Sequence, residues 1–414
     1  MNRRFQFLFV SSSLAVVLLL LVGVKLGRSA NNNDDPYKHF SVFSEVITRI
    51  KSDYVEEPDM KNVTLGALNG LLESIDPFAS YLNAEQYKQF KEMKDKSKAG
   101  VGLVLSRRFG YVSVVDAIPG SPADKANFNT GDMLETIKGI STRDMPLAFA
   151  EMLLLGEEGS TVDVQVLRSR KPEPEKVTLT RVKIAYPQPV LTFGADQIAT
   201  FAIPSLEGNM KDAVKKGLET AVQKGAKKMV LDLRNCATGQ PEEGVAVAEM
   251  FLEKGTIGSV KGQRTDAQTF TANPSKQIWK QPVVLIMNRG TAAAAEVLAS
   301  ALLENKRAEI VGERSYGDAS IRKALSLDDG SAVLLSVAKY YSPNGKAIQD
   351  TGVVPTFPMN DISAGVDEDP DGDGIPNNTP TEKPKEDGLM KKAIEVLNGA
   401  KTMAGLSPDA ALRR

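Results

Sequence analysis

The first regular feature of the chain is a helical periodicity of apolar residues between residues 36 and 95. Apolar side chains recur at intervals of three and four residues, which places them on one face of a helix. They are Phe43, Val46, Ile47, Ile50 and Tyr54. Proline at position 58 interrupts this pattern, and a second helix is marked by Leu65, Leu68, Leu71 and Leu72. The sequence therefore predicts a helical N-terminal region over residues 36–95.

The apolar pattern changes to alternation between residues 96 and 183, which indicates β-strands. The alternating residues are Val101, Leu103, Leu105, Val162, Val164 and Val166. Turn signals at Gly120–Pro122 and Gly131–Asp132 separate the predicted strands. This region is predicted to form a small β domain.

Residues 184–357 alternate between amphipathic helices and buried strands. The segment Met210–Val222 has a helical period, whereas Met229–Leu233 and Val283–Met287 are short apolar runs typical of buried strands. Such alternation predicts a sheet flanked by helices. The expected fold class is a multidomain α/β protein with a helical N-terminal region, a β domain and an α/β core. A C-terminal helix and tail are expected over residues 389–414.

The first thirty residues form a predicted targeting segment. Two arginines precede an apolar run over residues 7–24, and at ~1.5 Å per residue this run nearly crosses a hydrocarbon core of ~30 Å. The basic flank keeps the N-terminus in the cytoplasm and sends the body across the membrane. A signal anchor is expected, and the alternative is a signal peptide cleaved near Ser29–Ala30, although Arg28 departs from the usual cleavage pattern. Both forms predict a bacterial-type cell envelope location, with the body tethered to the inner membrane or secreted to the periplasm.

Composition and charge exclude several function classes. A formal net charge of −1 over 414 residues gives no basis for nucleic-acid binding, which relies on strongly basic surfaces. The single cysteine, Cys236, excludes an intrachain disulfide and a thiolate metal cluster. The single histidine, His39, lies near the N-terminus, so a histidine-based catalytic triad is not expected.

An acidic, proline-rich segment over residues 358–388 separates the core from the last helix. Four aspartates in this segment occupy the first, third, fifth and seventh positions of an EF-hand-like calcium loop, with glycine at the sixth. They are Asp367, Asp369, Asp371 and Asp373. The twelfth position is Asn378 instead of the glutamate that such loops use, and the alternative is a plain acidic linker. No cofactor is required, and calcium is an optional ligand.

A glycine-containing segment opens the predicted β domain. Its residues are Gly100, Val101, Gly102 and Leu103. Two glycines around one apolar residue let successive backbone N–H groups converge on one point, which suits a carboxylate. The alternative is an ordinary tight turn. The segment is a candidate site for the terminal carboxylate of a peptide.

The stretch Asn288–Arg322 has the features of a reactive site. Its sequence indicates a strand end, a glycine turn, the start of a helix rich in small residues, a second strand and a second glycine turn. Backbone N–H groups at the start of a helix can stabilise a developing oxyanion, so a nucleophile is expected there. Four alanines occupy that position instead, at residues 292–295.

Several motifs together resemble the carboxyl-terminal processing peptidases, also called tail-specific proteases, a family of Ser-Lys serine peptidases that carry a PDZ domain. The motifs are Leu71–Pro77, Ser80–Leu82, Gly100–Leu103, Gly120–Ala123, Val230–Asn235, Gly330–Ala332 and Tyr340–Gly345. The resemblance extends from Phe40 to about Leu397. It implies that residues 96–183 form a PDZ domain, that residues 184–357 form the protease-like core, and that the glycine-containing segment binds peptide.

The chain departs from the family pattern at the positions that the family uses for catalysis. The family serine aligns with Ala293, the general-base lysine with Asp318 and the assisting glutamine with Arg322. The oxyanion turn is altered too, since this chain has Ala237, Thr238 and Gly239 where the family has a Pro-Gly-Gly turn. Arg322 is expected to pair with Asp318, and an unperturbed carboxylate is a weak base at pH 7.

These changes predict a protein without proteolytic activity, because alanine offers no atom that can attack a carbonyl carbon. The expected function is that of a pseudoprotease, a scaffold or regulator that binds C-terminal or unstructured peptides by strand addition. Expected partners also include an active paralogue, further copies of the chain, and the membrane through the N-terminal segment. The alternative is an active serine endopeptidase with a displaced nucleophile at Thr291, Ser300 or Ser315.

Overall fold

The computed structural model describes most of the chain. The described residues are 36–95, 99–108, 110–168, 173–360 and 387–404. The chain divides into two compact units, residues 1–65 and residues 66–414. The predicted targeting segment and the predicted calcium ligands (Asp367, Asp369, Asp371 and Asp373) lie outside the described residues. Within the described ranges, no helix is both long enough and apolar enough to cross a membrane.

Helices make up most of the N-terminal region. They are α1 (Pro36–Asp53), α2 (Met60–Glu73) and α3 (Ala84–Asp95). The expectation of helices alone is corrected at β1 (Ser80–Leu82), a three-residue strand between α2 and α3. Ser80 and Leu82 are buried there because β1 pairs with a strand of the C-terminal half, with Ser80 opposite Leu334. Three residues are too few to give a sequence period.

The first sheet contains six antiparallel strands. In chain order they are β2 (Leu103–Arg108), β3 (Tyr111–Ala117), β4 (Met133–Ile137), β5 (Ile140–Ser141), β6 (Thr161–Leu167) and β7 (Glu175–Thr180). They lie in the order β2-β3-β4-β6-β7, and β5 pairs with β4. Two helices, α4 (Pro122–Lys125) and α5 (Leu147–Leu154), belong to this part of the chain. The alternation predicted for β6 is confirmed, because Val162, Val164 and Val166 are buried in one hydrophobic core.

The second sheet forms the centre of the α/β core. Its strands are β8 (Val190–Phe193), β9 (Ile198–Ala202), β10 (Lys228–Asp232), β13 (Val283–Met287), β14 (Ala308–Gly312) and β17 (Phe357–Pro358). They lie in the order β17-β14-β13-β10-β9-β8, and all neighbours except β8 and β9 are parallel.

Helices cover both faces of the second sheet. They are α6 (Met210–Gln223), α7 (Pro241–Glu249) and α8 (Ala294–Glu304) on one face, and α9 (Gly388–Ala404) on the other. Met229 and Leu231 of β10 belong to the core under α6 to α8, whereas Val230 packs with α9. Strands buried on both faces give continuous apolar runs, which is why β10 and β13 are evident in the sequence.

The third sheet contains five strands. Its strands are β1, β11 (Thr256–Gly262), β12 (Thr265–Thr271), β15 (Ser320–Ser326) and β16 (Ala332–Tyr341). They lie in the order β1-β16-β11-β12, and β15 pairs with β16 in an antiparallel hairpin. The predicted mixed α/β fold class is confirmed. The assignment of the first sheet to a PDZ domain stays a prediction.

Candidate active site

The candidate site is centred on the turn between β13 and α8. Ala293 immediately precedes the helix and has φ 53° and ψ −117°. This conformation is rare for a residue with a side chain, costs ~1–3 kcal/mol and persists only where neighbouring contacts enforce it. A strained residue between a buried strand and a helix is also the geometry with which α/β-hydrolases present a nucleophile. The turn therefore has the shape of a nucleophile elbow, with a methyl group where a hydroxyl would act.

Side-chain hydrogen bonds fix this elbow to the end of β10. The side chain of Asn288 accepts hydrogen bonds from the N–H groups of Asn235 (3.0 Å) and Gly290 (3.1 Å), and its amide donates to the Asn235 side chain at 2.7 Å. The hydroxyl of Thr291 donates to the carbonyl of Leu233 at 2.8 Å. These bonds join the loops that follow two adjacent parallel strands, where the α/β fold usually positions reactive groups.

Glu296 ties the elbow to the loop that precedes β15. Its buried carboxylate accepts hydrogen bonds from the N–H groups of Ala293 (3.0 Å), Gly317 (2.7 Å) and Asp318 (2.7 Å), and from the hydroxyl of Ser315. Ala293 and Asp318 donate to the same carboxylate oxygen, so the positions predicted for the nucleophile and the base are near neighbours. Burial raises the pKa of Glu296 to about 7, although these donors favour the charged carboxylate.

Asp318 and Arg322 form the predicted ion pair. The guanidinium of Arg322 also lies over the ring of Phe78, 4.1 Å from the ring centroid. The carboxyl group of Asp318 is perturbed by its surroundings. Burial raises its pKa, the nearby Arg322 opposes the rise in part, and the charges of Asp76 and Asp350 add to it. Asp318 therefore holds a proton more readily than a surface aspartate does.

The altered oxyanion turn keeps a glycine where the backbone needs one. Gly239 has φ 118°, and a Cβ on it would lie 2.5 Å from the carbonyl oxygen of Leu206. The carbonyl of Thr238 accepts a hydrogen bond from the N–H of Leu206 at 3.1 Å, and its hydroxyl bonds the hydroxyl of Ser205 at 2.8 Å. The threonine is thus held by the loop after β9. Position 239 tolerates no side chain, whereas position 238 does.

The three candidate hydroxyl groups near the elbow are all buried. The exposed fractions of Thr291, Ser300 and Ser315 are 0%, 2% and 4%. The hydroxyl groups of Thr291 and Ser300 donate to backbone carbonyl groups. Ser315 differs because its hydroxyl donates to the carboxylate of Glu296 and accepts from the N–H of Val353 at 2.7 Å. Of the three, Ser315 alone has a carboxylate as its hydrogen-bond acceptor.

The predicted peptide-binding segment lies at the start of the first sheet. The N–H of Gly100 already donates to the carbonyl of Val182 at 2.9 Å, so it is not available to a peptide as predicted. Leu103 is the first residue of β2 and pairs with β3. In the described part of the chain the N–H groups of Val101 and Gly102 donate to no acceptor. The carboxylate nest is therefore reduced to these two groups at most.

The first sheet packs directly against the elbow. Val115 of β3 is buried in one cluster with Ala237, beside the oxyanion turn, and Ala292 of the elbow. The approach is close, since a Cβ on Gly290 would lie 3.2 Å from the hydroxyl of Thr130. The predicted peptide-binding domain and the elbow are therefore side by side.

Comparison with known proteins gives the family. Residues 197–359 match peptidase family S41. A carboxyl-terminal-processing protease of Picosynechococcus sp. is 30% identical over 74% of this chain and 75% of its own length. The chain belongs to the carboxyl-terminal processing peptidases. A carboxy-terminal-processing protease of Bartonella bacilliformis is 28% identical over 97% of this chain and 96% of its own length.

A solved structure of the same peptidase family has the same fold. The photosystem II D1 C-terminal processing protease is 27% identical, covers 77% of this chain and 86% of its own, and superposes with a TM-score of 0.64. These relatives overturn the expectation that the chain is not an enzyme, because proteins this similar over most of their length are named processing proteases. They point to an active serine peptidase. The changes at Ala293, Asp318 and Arg322 are thus local departures within a peptidase family.

The sequence prediction missed Glu296 as a member of this processing-peptidase site. Its position three residues after Ala293 is the one from which a glutamate reaches back to the N–H before a helix. That spacing is the signal that identifies the first of its contacts. The contacts to Ser315, Gly317 and Asp318 come from a loop about twenty residues further on, and no spacing rule predicts them.

Proposed function

We propose that this chain is a serine-type peptidase that cleaves extended polypeptides near the C-terminus. The observation that carries the proposal is the strained elbow at Ala293, which Glu296 joins to the loop containing Asp318. Backbone strain of this kind persists at sites where a reaction or a ligand depends on it. The names of the relatives, carboxyl-terminal-processing proteases, support the choice of substrate.

Strand addition is the proposed mode of substrate binding. β2 is an edge strand of the first sheet, and an edge strand offers backbone groups that an extended peptide can pair with. The N–H groups of Val101 and Gly102 are the proposed partners of the terminal carboxylate. The apolar run over residues 7–24 supports a place of action in the cell envelope.

Ser315 is the proposed source of the attacking hydroxyl, since Ala293 has none. Its hydroxyl oxygen attacks the scissile carbonyl carbon while its proton passes to Glu296, whose pKa of about 7 suits a general base. The C–N bond then breaks, and the proton on Glu296 goes to the departing amine. Water hydrolyses the resulting ester and restores the serine. Because Ser315 is 4% exposed, the contact with Val353 must open for the substrate to reach it.

The decisive experiment compares two buried serines. A fluorogenic unstructured peptide with a free, apolar C-terminus is incubated with the full-length protein and with Ser315→Ala and Ser300→Ala. We expect cleavage by the unmodified protein and by Ser300→Ala, and loss of cleavage in Ser315→Ala. A serine-directed probe should label Ser315, as mapped by peptide mass spectrometry. Absence of cleavage by the unmodified protein, or cleavage that survives Ser315→Ala without labelling, would contradict the proposal.

Installing the family residues tests whether the cleft positions a substrate. The triple variant Ala293→Ser, Asp318→Lys and Arg322→Gln supplies a hydroxyl and an amine base beside it. We expect it to raise the cleavage rate by at least roughly 10³-fold over the unmodified protein, because removing a nucleophile or its base from such machinery costs on the order of 10⁴–10⁶-fold. Ala293→Ser alone, a hydroxyl without its base, is the control and should gain far less. Equal rates in all three proteins would mean that the cleft does not position the peptide bond.

A further inference from the structure

Arg322 occupies the cleft beside the elbow, at the place where the family assists its base. It lies on β15, four residues after Asp318, and Asp318 donates its backbone N–H to the same Glu296 oxygen that holds Ala293. The side chains of Arg322 and Asp318 are 36% and 22% exposed. The guanidinium is therefore partly open to solvent, and its ion-pair partner belongs to the loop that Glu296 joins to the elbow.

The guanidinium of Arg322 has more N–H donors than the described residues offer it acceptors. A guanidinium carries five N–H groups in a planar fork that matches a carboxylate with two parallel hydrogen bonds. The described residues give Arg322 a single hydrogen bond, to Asp318. The ring of Phe78 covers one face of the plane at 4.1 Å, which holds the fork in place and leaves its edge free. A fixed, half-exposed fork of this kind is suited to one more carboxylate.

We propose that Arg322 is a specificity-determining residue that binds an acidic side chain of the polypeptide next to the scissile bond. The inference rests on the proposed function, because it uses the same cleft. It specifies the substrate class as polypeptides with an acidic side chain next to the scissile bond. An acidic substrate side chain competes with Asp318 for the fork, whereas a neutral one leaves the internal ion pair intact. Asp318 thus acts as an internal substitute for the substrate carboxylate.

The test uses two fluorescent peptides that differ only in Asp or Asn on either side of the scissile bond. Dissociation constants are measured by anisotropy, and kcat/KM by cleavage, for the unmodified protein, Arg322→Gln, Asp318→Asn and Lys323→Gln. We expect Arg322→Gln to lower the preference for the Asp peptide about 10-fold, the scale of a charge-assisted bidentate contact. Asp318→Asn should raise the preference because it removes the internal competitor. Lys323→Gln removes the same charge from the next residue and should change nothing.

Arg322→Gln and Asp318→Asn are expected to change the preference for the Asp peptide in opposite directions. This difference distinguishes substrate recognition from a purely structural ion pair. If Arg322→Gln and Asp318→Asn lower binding of both peptides alike, the pair is structural and the proposal is wrong. Peptides with amidated C-termini should retain the preference, and a preference that disappears on amidation would assign Arg322 to the terminal carboxylate and also overturn it. Cleavage of both peptides without preference contradicts this inference alone. Preferential binding without cleavage contradicts the proposed peptidase activity and leaves this inference standing.

Discussion

The strained backbone conformation of Ala293 is stabilised by hydrogen bonds from neighbouring residues. Its positive φ would suit glycine at lower cost, yet the chain carries a methyl group there. The N–H of Ala293 is held by Glu296, and Asn288 and Thr291 pin the preceding turn. The elbow conformation is therefore imposed by hydrogen bonds to the backbone of Ala293 and within the preceding turn.

Asp116 is a second residue whose chemistry is set by its surroundings, and it gives a pH-dependent prediction. It is 5% exposed in β3, and burial raises its pKa to about 8, with the charge of Asp124 adding to the rise and a hydrogen bond from Ala117 opposing it. The folded protein binds this proton more tightly than the unfolded chain does. The associated stability is complete below about pH 4 and is lost as the pH rises through about 8.

We expect Asp116→Asn to reduce the loss of unfolding free energy at rising pH by a few kcal/mol, because each pKa unit corresponds to about 1.4 kcal/mol. The measurement is the free energy of unfolding from denaturant titrations at about pH 5 and about pH 8. Asp163→Asn is the matched control, since Asp163 lies exposed in the same sheet and its pKa is lowered by Lys176. A fall of equal size in the unmodified protein and in Asp116→Asn would show that this carboxyl is not its source.

At the scale of the element, the sequence predicted those strands and helices whose buried faces give a clear period. β10 and β13 were evident as apolar runs, and α6 was predicted over Met210–Val222 and ends one residue later. The apolar run that begins in α7 continues to Leu252, yet the helix ends at Glu249. It ends early because the carbonyl of Met250 accepts the N–H groups of Ile278 and Trp279, at 2.8 and 3.0 Å. The segment that contains Ile278 and Trp279 is remote in sequence, so no local sequence signal predicts where α7 ends.

The contact between α7 and α8 gives an element-scale prediction. Gly244 of α7 faces the first turn of α8, and a Cβ on it would lie 2.1 Å from the carbonyl oxygen of Ala294. Gly244→Ala must therefore push the start of α8, and with it the elbow, away from α7. We expect a loss of ~1–3 kcal/mol in stability, as for other overpacked sites, with cleavage reduced further than stability alone explains.

Gly70→Ala is the matched control for this substitution. Gly70 lies in α2, and a Cβ on it would meet nothing within 4 Å. Alanine favours a helix over glycine by about 1 kcal/mol, so this variant should be as stable as the unmodified protein or slightly more stable. Thermal unfolding and peptide cleavage are measured on both variants. Equal behaviour of the two would mean that α7 does not determine where α8 begins.

At the scale of the whole molecule, the family motifs located the elbow and the loop of Asp318, but the contacts between regions could not be predicted. The cluster of Val115, Ala237 and Ala292 joins residues that lie more than fifty positions apart in the chain. Each looks like an ordinary small apolar residue in its own segment. Periodicity indicates which face of an element is buried, and it does not indicate which other element covers that face.

Asp76 holds three such distant segments together. It is 3% exposed, and its carboxylate accepts hydrogen bonds from the N–H of Phe78 (3.0 Å), the N–H of Ser336 in β16 (2.9 Å) and the side-chain amide of Gln349 (3.2 Å). Phe78 is in turn the ring beneath Arg322. The segment before β1, the third sheet and the chain after β16 therefore meet at one carboxylate.

Asp76→Ala should lower the free energy of unfolding by about 2–4 kcal/mol, because it leaves several buried donors without an acceptor. Asp329→Ala is the control and should cost much less, because among the described residues the exposed carboxylate of Asp329 bonds only Ser331, two residues further along the chain. Urea titrations of the two variants measure the difference. A loss confined to stability would assign Asp76 to the fold alone. An additional fall in the preference for acidic peptides would show that it also holds Phe78, and through Phe78 the guanidinium of Arg322, in position.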